Sequence, residues 1–262
     1  MTYLISVFSV YTKLETLSIP LALSNALGVF SNIFSSALTK VFASDGNNKL
    51  IYEANSQLKI LTMFFTVPYA GIIVFGYDFL KLWLSDTSYT RTQFVEIYIL
   101  MILVLLDIII STYMYSIHSI IIAIDKVRIY SVVLLVSSII SIATTLVLLK
   151  CTGLGVYVIA GTSTVILGFT HGVIVPACAA KLLHRPIWTF WKTEFRSWAS
   201  LAVICVVFSV VKNFMDFPNW ISFFINIMIA GLIGYILESI LVFSKQEKKE
   251  IISIINLKLI RK

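Results

Sequence analysis

The strongest constraint on this chain is a succession of apolar runs of twenty or more residues, such as the stretch from Phe94 to Ile124, which holds two acidic residues and no basic one. A run of about 20 apolar residues wound as an α-helix crosses a hydrocarbon layer about 30 Å thick with every backbone hydrogen bond satisfied internally. Barrel strands would instead alternate apolar and polar positions over roughly ten residues, and no such alternation is present. The chain therefore reads as all-α, a polytopic membrane helical bundle. Composition agrees: 59% of the 262 residues are hydrophobic, 13% are charged and mean hydropathy is +0.95. A water-soluble enzyme is excluded by those values.

About seven transmembrane helices are expected, at Leu14–Ala43, Leu58–Leu84, Phe94–Ile124, Ile129–Leu149, Leu154–Leu183, Trp198–Val211 and Trp220–Phe243. The sixth is short. Turn and cap signals separate them, at Ser44 to Asn48, Ser85 to Ser88 and Asp216 to Asn219. Residues 1–13 read as the end of a preceding span or as an interfacial segment, and residues 244–262 as a basic cytoplasmic tail. The first alternative implies that the sequence is the C-terminal part of a longer protein.

Charge distribution supplies an orientation. Seven spans place fifteen of the twenty Lys and Arg residues on one side, including the whole C-terminal tail. The other side receives Lys13, Lys81, Arg91, Lys150 and Lys212. Cytoplasmic loops carry the basic excess, so the C-terminus is expected inside. The basic residues are scattered between spans and form no stripe with stacking aromatics, so no nucleic-acid partner is expected. Cys151, Cys178 and Cys205 stand singly, without Cys/His spacing. Buried thiols are the expectation, with no disulfide framework, metal or cofactor.

Polar residues inside spans are the informative ones, because in lipid each needs an interior partner or a wet cavity. Ser18, Asn25, Asn32 and Thr39 recur at intervals of seven in the first span and share one helical face. Such a stripe either lines a cavity for a polar solute or holds neighbouring helices together. Asp107 is the acidic residue near the centre of a span, and Ser111, Tyr115 and His118 follow on its face. An embedded carboxylate of this kind can exchange a proton or coordinate a cation, which makes this face the candidate ion-coupling site. The competing reading is a structural carboxyl satisfied by another helix. Gly161, Thr164, Gly168, His171 and Gly172 form a small-residue face suited to close packing. Pro20, Pro68 and Pro176 can kink helices and free carbonyls, while Glu238 is expected to reach the interface near the inner end of the last span. No P-loop, nucleophile elbow or HExxH motif occurs, and no enzymatic activity is expected.

Several stretches in their order resemble Wzx-type lipid-linked oligosaccharide flippases of the MATE-like superfamily. They are Tyr11 to Leu14, Leu23 to Ala43, Asp45 to Leu50, Gly76 to Leu84, Ala123 to Arg128 and Leu149 to Gly155. That resemblance implies a MATE-like second lobe with extra C-terminal helices, in a bacterial inner membrane. It also implies transport of a polyprenyl-pyrophosphate-linked oligosaccharide for O-antigen or capsule synthesis, coupled to H⁺ or Na⁺. Partners would be the bilayer, the lipid-linked oligosaccharide and polysaccharide polymerase or assembly proteins. The stripe from Ser18 to Thr39 would line the sugar path, and Lys13, Lys40 and Lys59 would contact the pyrophosphate. In place of a proline often found near the end of the family's first second-lobe helix, this chain has Lys40. Two other classes stay open, an integral-membrane transferase acting on a lipid carrier and a seven-span receptor or structural subunit.

Overall fold

A computed structural model describes the backbone of residues 18–85 and 90–242, with the side chains of residue 38 and of residues 49–85 and 90–242, excepting 113, 115 and 116. Every regular element among these residues is helical. They are α1 (Ser18–Trp83), α2 (Arg91–Ala123), α3 (Val127–Cys151), α4 (Val156–Phe169), a π-helical turn (Thr170–Ile174), α5 (Val175–Leu182), α6 (Trp188–Lys212) and α7 (Trp220–Val242). Six stretches are long and apolar enough to cross a membrane: Lys49–Trp83, Arg91–Thr112, Val127–Cys151, Val156–Leu182, Trp188–Lys212 and Trp220–Val242. The chain is a multi-pass, all-α membrane protein. The expected first span, Leu14–Ala43, the segment 1–13 and the tail 244–262 lie outside the residues described in full.

The helix ends follow local sequence. Thr90 caps α2 through a capping box, its hydroxyl accepting from the Gln93 amide while the Gln93 side chain accepts from the Thr90 amide at 2.8 Å. Asn219 caps α7, its Oδ1 accepting from the Ser222 amide at 2.9 Å. Between α2 and α3 the chain turns at Asp125, which takes a positive φ of 54°, and Gly155 takes the same angle just before α4.

Two boundaries differ from expectation. Ser44 to Asn48, expected as a turn, continue α1, a single helix of 66 residues. At a rise of 1.5 Å per residue that path is roughly 100 Å long, about three hydrocarbon thicknesses. The penalty for one glycine in a helix is about 1 kcal/mol, too little to force a break without a tertiary partner for the turn. The sixth span, expected from Trp198, belongs to a helix that begins ten residues earlier at Trp188. Its first turns carry Lys192, Glu194 and Arg196, which lower the hydropathy without stopping the helix.

The chain divides into two compact units. The first comprises residues up to Leu58 and Gly76–Glu194. Here α4 packs against both α2 and α3, and α5 against α2. Its core joins Leu38, Leu50 and Ala54 of α1 to Met114, Ile117 and Ile121 of α2, and to Val175, Ala179 and Leu183. Gly168 and Gly172 straddle Ile110, and a Cβ on Gly168 would stand 2.9 Å from the Ile110 Cδ1. The expected close-packing face is thus present. On α3 the polarity is inverted: the buried residues are Ser137 and Ser141, while Leu135, Ile139, Ile142 and Leu146 point outward. Apolar groups gain nothing by hiding from lipid, so the polar ones turn inward.

The second unit comprises Lys59–Phe75 of α1 together with the chain from Phe195 onward. Helix α7 turns Phe223, Ala230, Gly234, Glu238 and Val242 inward. A Cβ on Gly234 would meet Phe208 Cζ at 2.8 Å and Val67 Cγ1 at 3.1 Å, so at this point three helix segments touch. Thr62 and Ser197 are hydrogen-bonded at 2.7 Å, and the Lys212 ammonium donates to the Val74 carbonyl at 2.8 Å.

Candidate functional site

The candidate ion-coupling face lies on α2 in the first unit. Spacings of four and eleven residues bring Ser111 and His118 round to the side of Asp107. Asp107 is half-buried, and its Oδ1 is shut off from solvent with no hydrogen-bond partner among the described residues. One turn on, the Ser111 hydroxyl lies 3.2 Å from Nδ1 of His171 in the π-helical turn. His118 stacks on Tyr130 of α3, with ring centroids 4.3 Å apart and planes inclined by 32°. The side chain of Tyr115 lies outside the described residues. The structure therefore joins Ser111 to a group from the facing helix, while His118 has a packing partner of its own.

His171 was expected only on a packing face. The spacing of Gly168 and Gly172 advertises packing so clearly that the histidine between them reads as part of it. What brings its ring to Ser111 is the π-helical turn, which a hydropathy pattern does not reveal. Within that turn the Val175 amide donates to the Thr170 carbonyl, five residues back. Pro176 follows and has no amide hydrogen. Hydroxyls bridge neighbouring helices: Thr170 in the turn and Ser137 of α3 are hydrogen-bonded at 2.8 Å, and Thr164 of α4 donates to the Leu103 carbonyl of α2 at 2.8 Å. These bonds tie the π-helical turn to α3, and α4 to α2, through polar groups placed mid-helix.

The second unit holds a carboxyl that hydropathy alone places at the membrane surface. Glu238 is wholly buried, not interfacial as expected. Its Oε2 accepts from the Ser200 hydroxyl at 2.5 Å, and Thr66 also hydrogen-bonds the carboxyl. Gly234, one turn earlier, explains the burial, because a helix that approaches its neighbours this closely carries the next inward residue into the interior.

Ser18, Asn25, Asn32, Thr39 and Lys40 fall on α1, but their side chains lie outside the described residues, as does Lys13 entirely. Lys59 is half-buried on α1. Cys178 and Cys205 are partly buried free thiols, as anticipated, whereas Cys151 at the end of α3 is exposed. That corrects the expectation of burial for all three, and the reason is that α3 buries only hydroxyls. Among the described residues no group of three or more His, Cys, Asp or Glu side chains could hold a metal ion. No protein family, curated protein or solved structure matches the chain.

Proposed function

We propose that this chain is the second lobe of a Wzx-type transporter, which carries a polyprenyl-pyrophosphate-linked oligosaccharide across a bacterial inner membrane by ion-coupled alternating access. The observation that carries the reading is the α2 face, where a membrane-embedded carboxyl with an enclosed oxygen that has no hydrogen-bond partner among the described residues lies one turn from the Ser111–His171 contact. Ionisable groups at such depth are expensive and are kept where an ion or substrate needs them. The sequence resemblance supports the substrate class. A sugar and a pyrophosphate cannot cross hydrocarbon unaided, whereas a polyprenyl tail can stay in lipid.

In this reading Asp107 binds the coupling ion, H⁺ or Na⁺. Ser111 and His118 flank it on the same face, and Tyr115 shares that face by spacing. The stripe Ser18, Asn25, Asn32 and Thr39 lines the sugar path, while Lys13, Lys40 and Lys59 contact the pyrophosphate as point charges. The C-terminus is cytoplasmic, in keeping with the basic excess on that side. Polysaccharide polymerase or assembly proteins receive the exported product. The test is Asp107→Asn in a strain whose surface polysaccharide depends on this chain. Export should fall at least tenfold while the variant accumulates and melts like the parent. Undiminished export would remove Asp107 from the mechanism.

A further inference from the structure

Glu238 differs from Asp107 in being buried without remainder, in the other compact unit and on the last described helix. Its surroundings can be inventoried. From α6, Ser200 donates to Oε2, and from α1, Thr66 bonds the same carboxyl, while Oε1 is buried with no partner among the described residues. The charged and titratable groups on the adjoining elements are engaged elsewhere or displaced along their helices. Arg196, one turn before Ser200, donates through Nε at 3.2 Å and Nη2 at 2.7 Å to the Leu241 carbonyl. Tyr235 donates to the Phe64 carbonyl at 3.2 Å. Cys205 follows Ser200 by five residues, and Lys59 precedes Thr66 by seven.

A carboxylate enclosed in this way carries a charge without a counter-charge, which a dry interior does not tolerate. Either a metal cation or a proton must neutralise it. Hard cations in protein sites gather about six oxygens, and the described cluster offers one carboxyl and two hydroxyls, both already committed to that carboxyl. A proton needs only Oε1.

We propose that Glu238, with Ser200 and Thr66, forms a proton-exchange site in the second unit, Oε1 being the atom that takes up and releases the proton. Uptake converts the carboxylate to the neutral acid: the Oε1–H bond forms as an O–H bond of a hydronium ion breaks, leaving water. The hydroxyl bond from Ser200 to Oε2 holds the group in place in both forms. Release reverses the step, returning the proton to water as hydronium. The site is independent of Asp107 and of any particular transported substrate.

The test uses the full chain reconstituted in phosphatidylcholine vesicles and dicyclohexylcarbodiimide, which modifies carboxylic acids in apolar surroundings through their protonated form. Peptide mass spectrometry then reads the occupancy at each acidic residue. Glu238 should be labelled, with the rate falling about tenfold for each pH unit above its midpoint. Replacing potassium by sodium should leave the labelling unchanged, and so should Asp107→Asn. The label should vanish in Glu238→Gln, although the wild-type reading stands without any variant. No label at Glu238 at any pH would overturn the proposal. Protection by sodium would overturn it in favour of a metal-cation site. Failure of the Asp107 reading shows instead as undiminished export in Asp107→Asn, with Glu238 labelling intact.

Discussion

The hydroxyls of Thr170 and Ser137 lie 2.8 Å apart and join the π-helical turn to α3, which also packs against α4. Most side chains of α3 point outward, and its buried ones are Ser137 and Ser141. Hydrogen bonds between membrane helices contribute about 0.6 kcal/mol on average, up to about 1.7. Because the Thr170–Ser137 bond is buried, it should fall in the upper part of that range. Ser137→Ala and Thr170→Val, separately and together, form a double-mutant cycle on unfolding in detergent micelles. A coupling energy near 1.5 kcal/mol is expected, and zero coupling would show that packing against α4, not this hydrogen bond, holds α3.

Two glycines at helix contacts should respond differently to alanine. At Gly168 the new methyl meets the mobile tip of Ile110, which can turn aside. At Gly234 it meets the rigid ring of Phe208 and the branch of Val67 together. Overpacking of the second kind costs about 1–3 kcal/mol, so Gly234→Ala should lower the melting temperature by several degrees and Gly168→Ala by much less. Phe208→Leu in the Gly234→Ala background should restore part of the loss. Equal effects at the two sites would contradict the packing described for α7.

His118 can be separated into its two roles by a ring without nitrogen. Phenylalanine keeps the stacking on Tyr130, seen here at a centroid distance of 4.3 Å, but removes the titratable group. His118→Phe should melt within about 2 °C of the parent, as aromatic pairs of this kind contribute about 0.5–1.5 kcal/mol in either form. Export should nevertheless fall. If export were unaffected, His118 would be a packing residue and the ion-coupling face would end at Ser111.

Orientation is open to a direct test through the exposed thiol of Cys151 beside Lys150, at the end of α3. With the C-terminus inside, this end of α3 faces out, so a membrane-impermeant maleimide added to spheroplasts should label Cys151 at once. A Cys151→Ser variant should lose that label. Labelling that appears only after permeabilisation would invert the assigned orientation.

How much of this was legible from residues can be judged helix by helix. The spans beginning near Phe94, Ile129, Leu154 and Trp220 were readable because desolvation in lipid acts on every residue of a crossing, and a helix facing water seldom keeps twenty apolar residues in a row. The start of α6 was not readable, because hydropathy registers the hydrocarbon crossing and is blind to a helix that already runs through Lys192 and Arg196. The continuity of α1 through Ser44 to Asn48 was missed for a related reason: turn-forming residues report a local preference of only about 1 kcal/mol each, which a continuing helix can override. Asp107 and Ser111 could be placed on one face from spacing alone. His171 and Glu238 could not be assigned their partners, since those come from residues sixty and thirty-eight positions away.

The π-helical turn from Thr170 to Ile174 also acts as a phase shifter. One residue inserted into an α-helix rotates everything beyond it by about 100°, and a π-helical turn is the structural record of such an insertion. The face that α4 shows to Ile110 and the face that α5 shows to Met114 and Ile117 are therefore in register only because the extra residue is there. Deleting Val173 would tighten the turn into ordinary helix and set the Pro176 ring against the His171 carbonyl, at a cost of about 3 kcal/mol. It would also swing α5 a quarter-turn or more out of its seat in the core, and the two halves of this span would compete for a single angular setting.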